Sequence, residues 1–199
     1  MMVESQAENS LPQLAFRNVG LLYHPKLAES RVMAAEMLEF IESLGASAWV
    51  NSSWSEEAIK DRLSYLDLLI TLGGDGTNRV VAKTCAETPL LPISTGTNNV
   101  FPAMVEGTLA GMAAGVTAHN SSPRPDFVKQ VPRLVLKHGP EIVDIALIDV
   151  VVSKPGFIAS RAVWDIANVQ EIFLSRAEAG HIGFSSIGGH IPELSSAAG

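Results

Sequence analysis

The 199-residue chain carries 14 Lys and Arg against 21 Asp and Glu, a net charge of −7, and is 47% hydrophobic. That acidity argues against the basic face of a nucleic-acid binder and against an anionic membrane surface as partner. The single cysteine, Cys85, excludes an intrachain disulfide and fits a reducing, cytoplasmic compartment, and no apolar run reaches membrane-spanning length.

Residues 1–18 open on polar and acidic side chains, unlike a signal peptide, and are expected to form a disordered leader. A first strand is expected over 19–23, ending at His24-Pro25. Ser30 is placed to cap a helix whose apolar stripe is Met33, Met37, Phe40, Ile41 and Leu44, with Gly45 closing it. A second strand covers 47–50. Ser53-Trp54-Ser55-Glu56 has capping-box spacing, and Ile59, Leu63 and Leu66 continue that helical face. A third strand covers 67–72, a helix 78–86, a fourth strand 89–94 and a small-residue helix 105–118. Strands alternating with helices imply a parallel sheet, so residues 19–118 are expected to form a Rossmann-like, three-layer α/β domain.

Residues 119–126 contain Ser121-Ser122-Pro123-Arg124-Pro125 and read as a linker. The pattern then changes. Strands over 133–137 and 142–153 flank a turn at His138-Gly139-Pro140. Trp164, Ala167, Glu171 and Leu174 give a helix over 162–179, and 181–185 reads as a last strand. Residues 127–199 are thus expected to begin a β-rich, sandwich-like domain. Its shortness leads us to expect either a longer chain or a sheet completed by a partner subunit in a homo-oligomer.

The chemistry concentrates at two loops. The run Leu68-Leu69-Ile70-Thr71-Leu72 leads straight into Gly73-Gly74-Asp75-Gly76-Thr77. Glycines at a strand end permit a sharp turn and bare the backbone N–H groups, and a helix start beside them attracts phosphate. Asp75 is a carboxylate held inside that corner; its blander reading is a helix cap. The second loop, Ser94-Thr95-Gly96-Thr97-Asn98-Asn99-Val100-Phe101-Pro102, is dense in amides and hydroxyls. Thr97, Asn98 and Asn99 can donate to phosphate or ribose oxygens, and Gly96 allows close backbone approach. Ligands of parallel sheets bind beyond the carboxyl ends of strands, where both loops sit. Arg79 and Lys83 follow the motif at helical spacing, either for a triphosphate or as surface charge. Asp144 and Asp149 stand at odd separation in one expected strand, so they should point to opposite faces.

Gly73-Gly74-Asp75-Gly76-Thr77 resembles the motif of the superfamily of NAD kinases and diacylglycerol or sphingosine kinases. Those proteins pair a Rossmann-like domain with a C-terminal β-sandwich and place the active site between them. Ala146-Leu147-Ile148-Asp149-Val150-Val151 resembles the segment in which an Asn-Glu or Asn-Asp pair of NAD kinases holds the dinucleotide, with Ile148 standing at the Asn position. Gly96-Thr97-Asn98-Asn99-Val100-Phe101 is similar to the Gly-Thr-Gly-Asn-Asp-Phe loop of the lipid kinases, departing at Asn98 and Val100. The mixture most resembles the ATP-NAD kinase-like group of acetoin catabolism protein X.

The resemblance implies phosphoryl transfer from ATP to the 2′-hydroxyl of NAD or to a related small alcohol. Asp75 would be the catalytic base. Gly73, Gly74, Gly76, Thr77, Gly96, Thr97, Asn98, Asn99 and Asp149 would bind nucleotide, with Mg²⁺ held mainly through phosphates and no protein metal site named. Two alternatives stand beside this reading: a lipid-type kinase, and a non-catalytic nucleotide-binding or regulatory protein of acetoin catabolism. Ile148 and the short second domain favour the regulatory one.

Overall fold

A computed structural model describes residues 16–105, 110–111, 128–154 and 166–195. Its first part alternates β1 (Asn18–Tyr23), α1 (Ala28–Ser43), β2 (Ser47–Ser52), α2 (Glu56–Lys60), β3 (Leu68–Leu72), α3 (Asp75–Ala82) and β4 (Leu90–Ile93). The strands are all parallel, in the order β2-β1-β3-β4. This is the Rossmann-like α/β fold expected from the alternation. The chain moves outward from β1 to β2 and then returns past β1 to β3. The direction of progression therefore switches between β1 and β3, and crevices open at the carboxyl ends at such a point.

Alternate residues of the strands feed two cores. Val19, Leu21, Leu68, Ile70, Leu72 and Ile93 pack on Ala34, Met37 and Ile41 of α1. Leu22 and Leu69 face the other way, onto Ile59 of α2 and onto Val81 and Cys85. Helices cover both faces, which is the three-layer arrangement. Leu69 and Ile70 are wholly buried, and each such side chain contributes about 1.5–3 kcal/mol. Ala110 is buried in the α1-side core, and Gly111 lies beside Phe40 and Met37 of α1 with room for a side-chain methyl at ordinary contact distance. The rest of the expected 105–118 helix, the 119–126 linker and the first fifteen residues of the leader lie outside the described residues.

Local capping differs from the sequence expectation. α1 starts before Ser30, whose buried hydroxyl instead donates to the carbonyls of His24 (3.0 Å) and Leu27 (2.8 Å). α2 takes Ser55 as its N-cap residue, and the expected longer face breaks into a separate 3-10 turn at Leu63–Tyr65. Gly45 does close α1, at φ +88°, a conformation that favours glycine. α3 begins at Asp75, three residues ahead of the expected start, so the motif itself forms the first helical turn.

The second part holds two antiparallel pairs: β5 (Leu134–His138) with β6 (Glu141–Ala146), and β7 (Asp149–Ser153) with β8 (Val169–Leu174). Three expectations need correction here. The single strand over 142–153 is broken at Leu147-Ile148, where Ser175 Oγ donates to both carbonyls at 2.6 and 3.0 Å and stabilises the bend. The helix over 162–179 is replaced by a 3-10 turn at Ile166–Asn168 and by β8, its first four positions lying outside the described residues. Val169, Ile172 and Phe173 suit a pleated surface, and long-range pairing with β7 overrides their helical spacing. The last strand over 181–185 is instead the start of α4 (Gly183–Gly189), followed by α5 (Pro192–Ser195). Gly183 sits at φ +66°, which ends any extended run. Among the described residues no helix is long and apolar enough to cross a membrane.

A charge cluster ties the two parts together. Asp144 of β6 pairs with Arg79 of α3 and with Lys83 (2.6 Å), and Arg79 Nε donates to the Ile145 carbonyl at 2.9 Å. Burial acts to raise the Asp144 pKa. The Lys83 ammonium, the Ile145 amide and the Arg79 guanidinium outweigh it and hold the carboxyl at about 2. A depressed carboxylate stabilises the fold above its unfolded pKa, about 3.9, and that contribution fades as pH falls toward the folded value. Asp144→Asn is therefore expected to lower stability by about 1 kcal/mol at neutral pH, discounted for partial exposure. Thermal melts of the two proteins should converge as pH drops from about 4 toward 2; a gap that persists there would rule out the charge as its source.

Candidate nucleotide site

A cleft of about 460 Å³ opens at the carboxyl end of the parallel sheet and takes a wall from every strand end. His24 and Leu27 follow β1, Trp54 follows β2, Gly74 to Thr77 follow β3, and Thr95, Gly96, Asn98 and Asn99 follow β4.

The turn after β3 is fixed from below. Thr71 Oγ1 donates to Asn78 Oδ1, and Asn78 Nδ2 donates to the Gly74 carbonyl at 3.0 Å; both side chains are fully buried. Gly73 donates its amide to Ile93 O at 3.0 Å, and a Cβ there would sit 2.6 Å from Thr77 Cβ. A Cβ on Gly74 would sit 2.6 Å from Asn99 Oδ1. These two glycines are required by crowding, not by left-handed backbone. Beyond them α3 begins, and its first amides have no intrahelical acceptor. The Asp75 amide donates to Asn99 Oδ1 at 3.2 Å, and that of Asn78 to Gly74 O at 3.1 Å. The amides of Gly76 and Thr77 have no acceptor among the described residues, and both residues line the cleft.

The second loop is bound to the first through a reciprocal clamp. Asn99 accepts from the Asp75 amide, while the Asp75 carboxylate accepts from the amides of Val100 (3.0 and 3.1 Å) and Phe101 (2.8 Å). Oδ1 carries contacts to both amides; Oδ2 carries only the longer one to Val100. Ser94 Oγ organises the loop base, donating to Gly96 O at 2.6 Å and accepting from Asn99 Nδ2 at 2.8 Å. Ser94 N and Ala103 N each bond across the loop ends, so the excursion is closed on β4.

The expected site residues therefore divide. Gly74, Asp75, Gly76, Thr77, Gly96, Asn98 and Asn99 meet in the cleft. Gly73 is buried beneath it, and Thr97 is exposed outside its lining. Asp149 leads β7, and its carboxylate has no hydrogen-bond partner among the described residues; burial first, then the charge of Asp75, raises its pKa. The break at residues 147–148 removes the premise that Asp144 and Asp149 share one strand; Asp144 is engaged by Arg79 and Lys83, while Asp149 feels the charge of Asp75. Arg79 and Lys83 are engaged with Asp144 in a role that neither sequence reading named. Sequence reasoning also missed Asn78 and Arg176. Asn78 shares the buried stripe of Val81 and Cys85, and a polar residue at that spacing was the available signal. The Arg176 guanidinium lies over the Phe101 ring, 5.0 Å from its centroid, and no local pattern announces it.

Among the described residues no group of three or more His, Cys, Asp or Glu is arranged to hold a metal. Asp75 lines the cleft, and Asp149, which is not among its lining residues, stands near enough for the Asp75 charge to act on it. That donor set suits a magnesium ion carried in on phosphates.

Open helix-start amides at a switch-point crevice, with a fixed carboxylate beside them, are features of a phosphate-handling α/β protein. The ATP-NAD kinase N-terminal domain matches residues 2–121, and the chain belongs to that family. The acetoin catabolism protein X C-terminal domain matches residues 132–198. Acetoin catabolism protein X of Cupriavidus necator is 40% identical over 125 residues, 61% of this chain and 35% of that protein. An NAD kinase of Dehalococcoides mccartyi is 28% identical over 83 residues, 41% of this chain and 29% of that enzyme. The chain thus spans about a third of the length of the curated relatives it matches. A diacylglycerol kinase structure from Bacillus anthracis overlays 51% of this chain and 39% of its own, with 21% identity and a TM-score of 0.38, too slight to carry weight.

Proposed function

We propose that this protein is a cytoplasmic, ATP-dependent phosphotransferase that acts on the 2′-hydroxyl of NAD, giving NADP, or on a related small alcohol. The observation that supports it most is the Asp75 carboxylate, held by the Val100 and Phe101 amides at the rim of a cleft bearing the Gly76 and Thr77 amides, which have no acceptor among the described residues. In this reading those amides receive phosphate oxygens. Asp75 Oδ2, the less engaged oxygen, takes the proton of the attacking hydroxyl. Gly74 and Gly96 let phosphate approach the backbone, Asn98 and Asn99 hold ribose or phosphate, Thr97 donates from the loop's outer side, and Asp149 accepts from a ribose hydroxyl. Gly73 acts only by shaping the turn. Magnesium neutralises phosphate charge during transfer.

The experiment is incubation with MgATP and NAD, with NADP read through a coupled dehydrogenase. ATP-dependent NADP formation is the expected result. Tight ATP binding with no turnover of NAD or any tested alcohol would favour the second reading, a nucleotide-binding regulator of acetoin catabolism. The higher identity to the Cupriavidus protein and Ile148 at the position of an expected amide side chain support that alternative. The lipid-type kinase would show as turnover of a diacylglycerol or a long-chain amino alcohol. Homo-oligomerisation is part of the proposal, and light scattering after size exclusion measures it.

A further inference from the structure

The glycine corner is one part of the cleft lining, and an aromatic pair, His24 and Trp54, is another. Trp54 is a large apolar side chain 56% exposed at the end of β2, yet it lines the same cleft as Gly76 and Thr77. Its position is defined. The His24 ring meets it edge-on, with centroids 5.7 Å apart and planes at 74°, and His24 Nδ1 in turn accepts from the Lys26 amide at 3.3 Å. The Lys26 ammonium lies over the indole, 5.1 Å from its centroid. An exposed tryptophan braced in this way, sharing a cleft with open helix-start amides, is suited to a ligand that has a flat ring at one end and phosphates at the other.

We infer that Trp54 is the stacking platform for the base of the bound nucleotide, and that Lys26 exchanges its place over the indole for the ligand's phosphates. The inference rests on the nucleotide reading of this cleft and adds where the base lies. A planar base offers the indole a π-face that replaces the cation–π contact, and the ammonium released gains a stronger anionic partner. Trp54 would therefore separate nucleotides from bare polyphosphates, while the glycine corner would not.

Calorimetric titration of the full chain with ATP and with inorganic tripolyphosphate tests this. Trp54→Leu is expected to weaken ATP about tenfold and leave tripolyphosphate unchanged, with Trp54→Phe recovering part of the loss. Lys26→Met should weaken both ligands. Trp54 sits in an exposed loop, and an unchanged melting temperature checks that the variants are folded. If the unsubstituted protein binds both ligands and Trp54→Leu binds ATP equally well, the stacking platform is refuted and the phosphate corner stands. If it binds neither, the corner and the platform fall together.

Discussion

Asp75→Asn is expected to reduce phosphoryl transfer by about 10²–10⁴-fold, the range for loss of a positioned general base, while the protein stays folded. The geometry separates the two functions of this side chain. Its Oδ1 accepts from both the Val100 and Phe101 amides, and an asparagine Oδ1 can do the same. What the substitution removes is the charge and the second oxygen. Asp75→Ala removes the tether as well, leaving two loop amides without their acceptor, and should lower stability by a further 1–3 kcal/mol or so. Steady-state turnover beside thermal melts of the three proteins checks this. Turnover that survives in the Asn variant would show that Asp75 is a tether alone, and would favour the regulatory reading.

The second large effect is on stability. Gly73→Ala would bring a methyl to within 2.6 Å of Thr77 Cβ and 2.8 Å of its Cγ2. Carbon atoms need about 3.5–4.0 Å. Thr77 is buried and fixed on the first turn of α3, so its backbone must move by about 1 Å and cannot relax by a rotamer change. Such overpacking costs about 1–3 kcal/mol, and it displaces the Thr77 amide from the cleft. Gly76→Ala is the control three residues on: an added Cβ meets nothing within 4 Å. It should leave stability unchanged or raise it by about 0.5–1 kcal/mol. Urea midpoints at constant m separate the two; equal midpoints would contradict the crowding argument.

How legible the molecule is from its sequence depends on how local its cause is. β1, β3 and β4 and the apolar faces of α1 and α3 follow from the apolar pattern, because β1 and β3 are buried on both sides, β4 is half-buried, and each helix is buried on one side. The glycine corner is legible because its chemistry lies in five consecutive residues. The clamp between Asp75 and Asn99 is not, since it joins positions 24 residues apart that only the β3–β4 pairing brings together. The second part is least legible for the same reason. Val169–Leu174 carries both a helical spacing and strand-forming side chains, and only its pairing with β7 decides between them. The bend at Leu147-Ile148 depends on Ser175, far along the chain. The sequence leaves Arg79 as either ligand contact or surface charge, because its partner Asp144 stands 65 residues away.

That last contact bears on where the molecule can be divided. A cut through the Pro- and Ser-rich stretch between residues 119 and 126 follows composition, but it parts an acid from the two bases it neutralises. The liberated front half would carry a new cationic spot on the far turn of the helix that begins at the glycine corner. Such a fragment would attract polyanions through a surface that the intact chain keeps silent, and any affinity measured on it would blend a native property with an artefact of dissection.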